Sequence, residues 1–262
     1  MTPLASIVVA AVAGGILATL AAAATLALPA GWISRLVSFA VGALLGAVFI
    51  ELLPSALEAG APGPVMATVL AGLLVFFLLE KMVLWRHAHG HDEHRDDEDE
   101  SEHDHALHAH GDGGRSGLMI LIGNGVHNFC DGIVIAAAFL ADRRLGIATT
   151  VAIVAHAVPQ QVGDFAVLIH SGFSRERAFT YNMAAGAATL AGALAGYVAL
   201  AGMERILPTV LAIAAASLLY VAVADLIPSL HRRAEPAETA RQMVAIGLGV
   251  AVIVAVHVLL EH

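Results

Sequence analysis

Two short stretches concentrate the side chains able to do chemistry. The first reads His127-Asn128-Phe129-Cys130-Asp131-Gly132, and the second His156-Ala157-Val158-Pro159-Gln160-Gln161-Val162-Gly163-Asp164. On a helix, residues four apart share a face. His127 and Asp131 therefore sit together with Asn128 beside them, and His156, Gln160 and Asp164 form one stripe. Imidazole suits Zn2+, Fe2+ and Ni2+, while carboxylate and amide oxygens extend the range toward Mn2+. Two helices that each present imidazole, amide and carboxylate on one face make a candidate site for a borderline divalent ion. The plainer alternative is a hydrogen-bonded polar seam between two helices. Pro159 removes a backbone donor and is expected to displace the carbonyl of Ala155, opening the helix there.

A third stretch is rich in the same residue types but lacks their order. His87, His89, His91, His94, His103, His105, His108 and His110 are eight of the fourteen histidines, set among the acids from Asp92 to Asp104. Neutral imidazoles and carboxylates at this density collect Zn2+ weakly without folding. The alternative is a solvated acidic linker. Residues 86–112 hold ten acids and two arginines, a net of −8, so the rest of the chain accounts for only −1 of the total of −9. Without a basic stripe to neutralise phosphates, nucleic acid is not an expected partner.

The elements that must position the two motifs are membrane helices. Of the 262 residues, 58% are hydrophobic and 13% are charged, against an ordinary roughly 45–50% and roughly 25%. Lipid tolerates such a surface and water does not. One cysteine, Cys130, excludes a disulfide scaffold and a thiolate zinc finger. A helix crossing the bilayer needs about 20 mostly apolar residues. Eight runs qualify, at roughly 4–28, 33–56, 63–85, 117–140, 145–170, 174–201, 207–230 and 238–260. They are continuous and do not alternate polar with apolar, which favours helices over a barrel. The first run is read as a span and not as a signal peptide, since no Lys or Arg precedes it. The expected organisation is three helices over 1–85, a cytoplasmic His/Asp/Glu-rich loop over 86–116, the motif-bearing pair over 117–170, and three helices over 171–262.

Lysine and arginine usually flank the cytoplasmic ends of spans. With the N-terminus outside, ten of them (Arg35, Lys81, Arg86, Arg95, Arg115, Arg175, Arg177, Arg232, Arg233 and Arg241) lie inside, and only Arg143, Arg144 and Arg205 outside. The C-terminus is then also outside. The second span ends Glu51-Leu52-Leu53-Pro54-Ser55 and the seventh Asp225-Leu226-Ile227-Pro228-Ser229. These spans cross in opposite directions. The match predicts an all-α membrane fold with a 3+2+3 inverted repeat, an arrangement in which transporters place binding sites between the halves. Glu51 is expected toward the external mouth and Asp225 toward the cytoplasm, as relay positions, with Gln161 and Asp164 as further relays near the core.

Together, His-Asn-Phe-x-Asp-Gly in one span and His-x-x-Pro-Gln-x-x-Gly-Asp-Phe in the next resemble the ZIP (Zrt/Irt-like) metal transporters, closest to bacterial relatives of the LIV-1 and GufA-like branches. The eight spans, the His-rich loop after the third, and Leu219-Tyr220-Val221-Ala222 before Asp225-Leu226-Ile227-Pro228 extend the resemblance over nearly the whole chain. It implies uptake of divalent metal toward the cytoplasm, a two-part metal site between the fourth and fifth spans, an elevator-like motion, and dimers. Carried over by position, His127 and His156 belong to the primary site, with Gln160 at a variable ligand position, and Asn128 and Asp131 to the adjoining one. The chain departs where the family usually has Glu, at Ala157 and Gln161, and has Glu51 where His is frequent. Lost carboxylates mean less negative charge for a dication in low dielectric, so one weakly held ion is expected instead of two.

The expected function is transport of Zn2+ or a similar ion (Fe2+, Mn2+, Cd2+) as cargo, without a cofactor, in a membrane read as a bacterial inner (plasma) membrane. The rival within the same class is a metal-binding sensor or scaffold that transports weakly. An intramembrane metalloenzyme is disfavoured, because His156-Ala157 lacks the Glu of His-Glu-x-x-His and no second His follows at four. A proton channel built on His127 and His156 is the remaining rival.

Overall fold

Among the described residues, eight long apolar helices account for the fold, and each is long enough to cross a bilayer. The computed structural model describes residues 2–25, 30–88, 115–170, 172–231 and 235–261. The helices are α1 (Pro3–Thr25), α2 (Ala30–Gly46, continued through Ala47–Leu52 and Leu53–Ala59), α3 (Pro62–Ala88) and α4 (Arg115–Ala141). They continue with α5 (Arg143–His170), α6 (Arg175–Leu200), α7 (Leu207–Tyr220, continued through Val221–Leu226 and Ile227–His231) and α8 (Pro236–Glu261). No strand occurs among the described residues.

The prolines act differently from expectation. Pro159 was expected to open α5, yet α5 is helical through it, from Arg143 to His170. The irregular turns lie elsewhere. In α2 a π-helical turn, Ala47–Leu52, precedes Pro54, and in α7 another, Val221–Leu226, precedes Pro228. A proline clashes with the preceding turn, and one widened turn is a common way for a helix to absorb such a mismatch. Glu51 and Asp225 are each the fifth residue of their π turn. The sequence match between the two spans is therefore also a match of backbone form.

Contacts sort the helices into two groups of four. One holds α1, α4, α5 and α6; the other holds α2, α3, α7 and α8. Exchanging α1 with α6, α2 with α7, α3 with α8 and α4 with α5 maps the principal contacts onto one another, as a 3+2+3 repeat requires. Apolar burial brings no large gain between helices in lipid, so close backbone approach matters more. Each group has a reciprocal glycine pair that permits it. A Cβ added at Gly132 of α4 would lie 2.0 Å from the Thr189 carbonyl oxygen of α6, and one at Gly192 of α6 would lie 1.9 Å from that of Phe129. In the other group, a Cβ at Gly42 of α2 would lie 2.0 Å from the Ile246 oxygen of α8, and one at Gly249 would lie 2.2 Å from that of Phe39. Between the groups runs a core of small and aliphatic residues, including Leu44, Leu52, Ile135, Ala152 and Leu218. Helices α2, α4 and α5 are the most enclosed and α3 and α8 the least.

Candidate metal centre

Helices α4 and α5 bring the two motifs face to face. Nε2 of His127 lies 3.2 Å from Nε2 of His156. Oδ2 of Asp131 lies 3.6 Å from the first nitrogen and 3.4 Å from the second. These three atoms form a nearly equilateral triangle. A tetrahedral ion with bonds of 2.0–2.1 Å needs ligand atoms separated by about 3.3–3.4 Å. The triangle therefore has the dimensions of one face of such a site, with the fourth position left for water or an incoming ligand. Asp131 and His156 are buried, at 2% and 1% exposure, and His127 is half-buried. Asp131 Oδ2 makes no hydrogen bond within the described residues. A buried carboxylate oxygen without a donor is costly unless a cation compensates it.

The remaining motif residues form a second layer, organised by a residue that sequence reasoning passed over. Asn124 Oδ1 accepts hydrogen bonds from Asn128 Nδ2 and from Gln160 Nε2, both at 2.8 Å. Its Nδ2 donates to Asp164 Oδ2 at 2.5 Å. Its backbone oxygen accepts from Asn128 Nδ2 at 2.9 Å, and Asn128 Oδ1 accepts from Thr189 of α6 at 3.4 Å. Asn128 and Gln160 thus both donate to Asn124. A signal was present, since Asn124 stands four residues before Asn128 and shares its stripe. Gln161 is buried against α6, where its backbone oxygen accepts from Asn182 Nδ2 at 3.5 Å. Ala157, beside His156, is also buried.

The two carboxylates of the repeat occupy different surroundings. Glu51 is buried and pairs with His257 of α8, Oε1 to Nδ1 at 2.9 Å, within electrostatic reach of Asp142 and Arg144 at the α4–α5 turn. His257 was not anticipated; it lies 206 residues away in sequence. Asp225 lies within electrostatic reach of His127, His156 and Glu80. Glu80 of α3 accepts a hydrogen bond from the Tyr220 hydroxyl. Of these carboxylates of the other group, Asp225 is the one within electrostatic reach of the triangle's imidazoles. Of the loop histidines, His87 falls on the last turn of α3, which runs beyond the boundary expected at 85. His89, His91, His94, His103, His105, His108 and His110, like the His87 side chain, lie outside the described residues.

Residues 2–257 match the family described as ZIP Zinc transporter. The chain belongs to the ZIP zinc transporter family. Over 239 residues it is 30% identical to the zinc transporter ZIP13 of Pongo abelii, covering 85% of this chain and 66% of that protein. It is 30% identical over 277 residues to the ZIP13 homolog of Drosophila melanogaster, covering 87% of this chain and 78% of that protein. Human zinc transporter ZIP4 is 40% identical over 120 residues, 45% of this chain and 18% of its own length. The chain thus spans just under two thirds of the ZIP13 of Pongo abelii. Family membership agrees with the eight spans and a membrane setting.

Proposed function

We propose that this ZIP protein carries divalent transition-metal ions, Zn2+ foremost, across a membrane toward the cytoplasm, and that His127, Asp131 and His156 hold the ion in transit. The observation that carries the reading is the triangle of two imidazole nitrogens and one carboxylate oxygen, whose edges of 3.2–3.6 Å suit a tetrahedral ion. Asn124, Asn128, Gln160 and Asp164 form the adjoining layer, which orients the motif helices and offers oxygens along the path. The triangle lies wholly within the α1, α4, α5 and α6 group, so movement of that group against the other would carry the ion with it. The Lys/Arg bias supports termini outside and the acidic loop inside. A two-copy assembly is part of the proposal.

Uptake by purified protein in vesicles, across a panel of divalent ions and with and without a proton gradient, tests this. His127→Ala and His156→Ala should each cut Zn2+ uptake by at least tenfold. Normal transport by both variants would place the site elsewhere. The second reading, a metal-binding protein that transports weakly, draws on one observation: Asp131 is the only carboxylate in the triangle. It predicts stoichiometric Zn2+ binding without accumulation in the vesicles.

A further inference from the structure

Where α2 and α8 run side by side, their outer flank carries a groove of about 520 Å3 that the metal site does not use. Trp32, Leu36 and Phe39 form one wall, and Val244 and Leu248 the other. Ala240 and Ala245 also line the groove, and their short side chains keep it open. Val244 and Leu248 are 64% and 57% exposed. Beside a membrane helix such a face meets hydrocarbon.

One end of the groove is charged. Arg35 and Arg241 line it, each five residues into helices that begin at Ala30 and Pro236. This is headgroup depth, where tryptophan and long cationic side chains concentrate. The Arg35 guanidinium lies 5.1 Å from the centroid of the Trp32 ring and makes no ion pair among the described residues. Arg241 is exposed and, among the described residues, its ion pair is with Glu238, at 3.4 Å. Glu238 also accepts from Ser34 Oγ at 3.3 Å, which ties α8 to α2 below the groove. Two cations therefore face one carboxylate.

We propose that this groove binds one anionic phospholipid, its phosphate between Arg35 and Arg241 and an acyl chain between the Trp32–Phe39 and Val244–Leu248 walls. At 1.5 Å per residue the walls extend about 10 Å along α2 and about 6 Å along α8, which accommodates the upper part of one chain. Basic pockets between membrane helices at headgroup level have this character. A zwitterionic lipid sets its own ammonium beside the arginines and loses part of the attraction. A second copy related by a two-fold axis along the membrane normal would bring its Arg35 and Arg241 against the first pair, and like charges facing each other disfavour that occupant.

Native mass spectrometry of the full-length protein in detergent, titrated with phosphatidylglycerol or phosphatidylcholine of identical chains, tests the proposal. Wild type should retain phosphatidylglycerol about 30-fold better, each arginine near the surface contributing about fivefold. Arg35→Gln or Arg241→Gln should lower the preference about fivefold, and the double variant should abolish it. Filling the groove with Ala245→Phe should reduce retention of both lipids. A photoactivatable phosphatidylglycerol on wild type, which needs no variant to fold, should label residues 32–39 and 240–248. Equal retention of the two lipids, an unchanged preference in the double variant, or labelling confined to other helices would each overturn the proposal. A shift from dimer to monomer on Ala245→Phe with lipid retention intact would assign the groove to a second copy and overturn it too.

Discussion

Three ligand atoms at tetrahedral spacing hold a dication only as tightly as their charge and surroundings allow. Here two of the three are neutral nitrogens, and Asp131 supplies the one negative charge. A membrane carrier must release as well as capture, so a modest site is compatible with transport. Position 157 tests the balance. Ala157 is buried directly after His156, where the family usually has Glu. An anion added there strengthens attraction for a dication in low dielectric. Ala157→Glu should lower the Kd for Zn2+ by roughly tenfold in calorimetric titration, and Gln161→Glu can be added as a second step. An unchanged constant in Ala157→Glu would mean that the side chain at 157 does not face the ion. Glycine contributes at this scale in the opposite way, by having no side chain.

At the scale of the element, what matters is how closely α4 and α6 approach. Gly132 and Gly192 each press against the partner backbone, and a methyl group at either would meet a carbonyl oxygen at 2.0 Å or less. Neither backbone can yield without separating the helices. Gly192→Ala should therefore destabilise the protein by about 1–3 kcal/mol, the usual range for overpacking. It should also disturb the triangle, since His127 and Asp131 ride on α4. Gly247→Ala is the control, because nothing lies within 4 Å of a Cβ built there and alanine favours the helix. Thermal melting of the purified proteins should separate the two. Equal melting temperatures would show that the α4–α6 contact relaxes freely. The π turns of α2 and α7 are a second device at this scale, since each sets a carboxylate in a widened turn just ahead of a proline.

Over the whole molecule, the two groups of helices divide the labour. One holds the triangle, and the other presents Glu51, beside His257, and Asp225, near Glu80 and both imidazoles. Negative charge along a path raises the local concentration of cations. Glu51→Gln and Asp225→Gln should therefore raise the KM for Zn2+ uptake more than they lower the maximal rate. Curves in which only the maximal rate falls would remove the capture role. The acidic loop contributes a separate prediction, made from sequence alone. Its composition offers little apolar surface to a core, so deleting residues 87–112 should leave membrane insertion and basal uptake intact while lowering the number of weakly bound Zn2+ ions. Loss of insertion would show that the segment is structural.

The amino-acid sequence by itself determined the eight spans, the helical class, the duplicated carboxylate-x-x-Pro-Ser ends and the polar stripes of α4 and α5. All of these depend on local properties: hydropathy summed over about 20 residues, and the 3.6-residue period that groups side chains on a face. The family was legible for the same reason, since its motifs are short and contiguous. The tertiary structure alone decided which stripes meet and at what register. Three of the five residues assigned to the metal close into a triangle, Asn128 and Gln160 turn to Asn124, and Glu51 finds His257 at the far end of the chain. The helical period does not contain that register. Part of it lies in the close contacts of Gly132 with Thr189 and Gly192 with Phe129 between α4 and α6, and of Gly42 with Ile246 between α2 and α8, which fix how deeply those helices sink against each other. That α5 stays helical through Pro159 was decided there too, among the neighbours that enclose it.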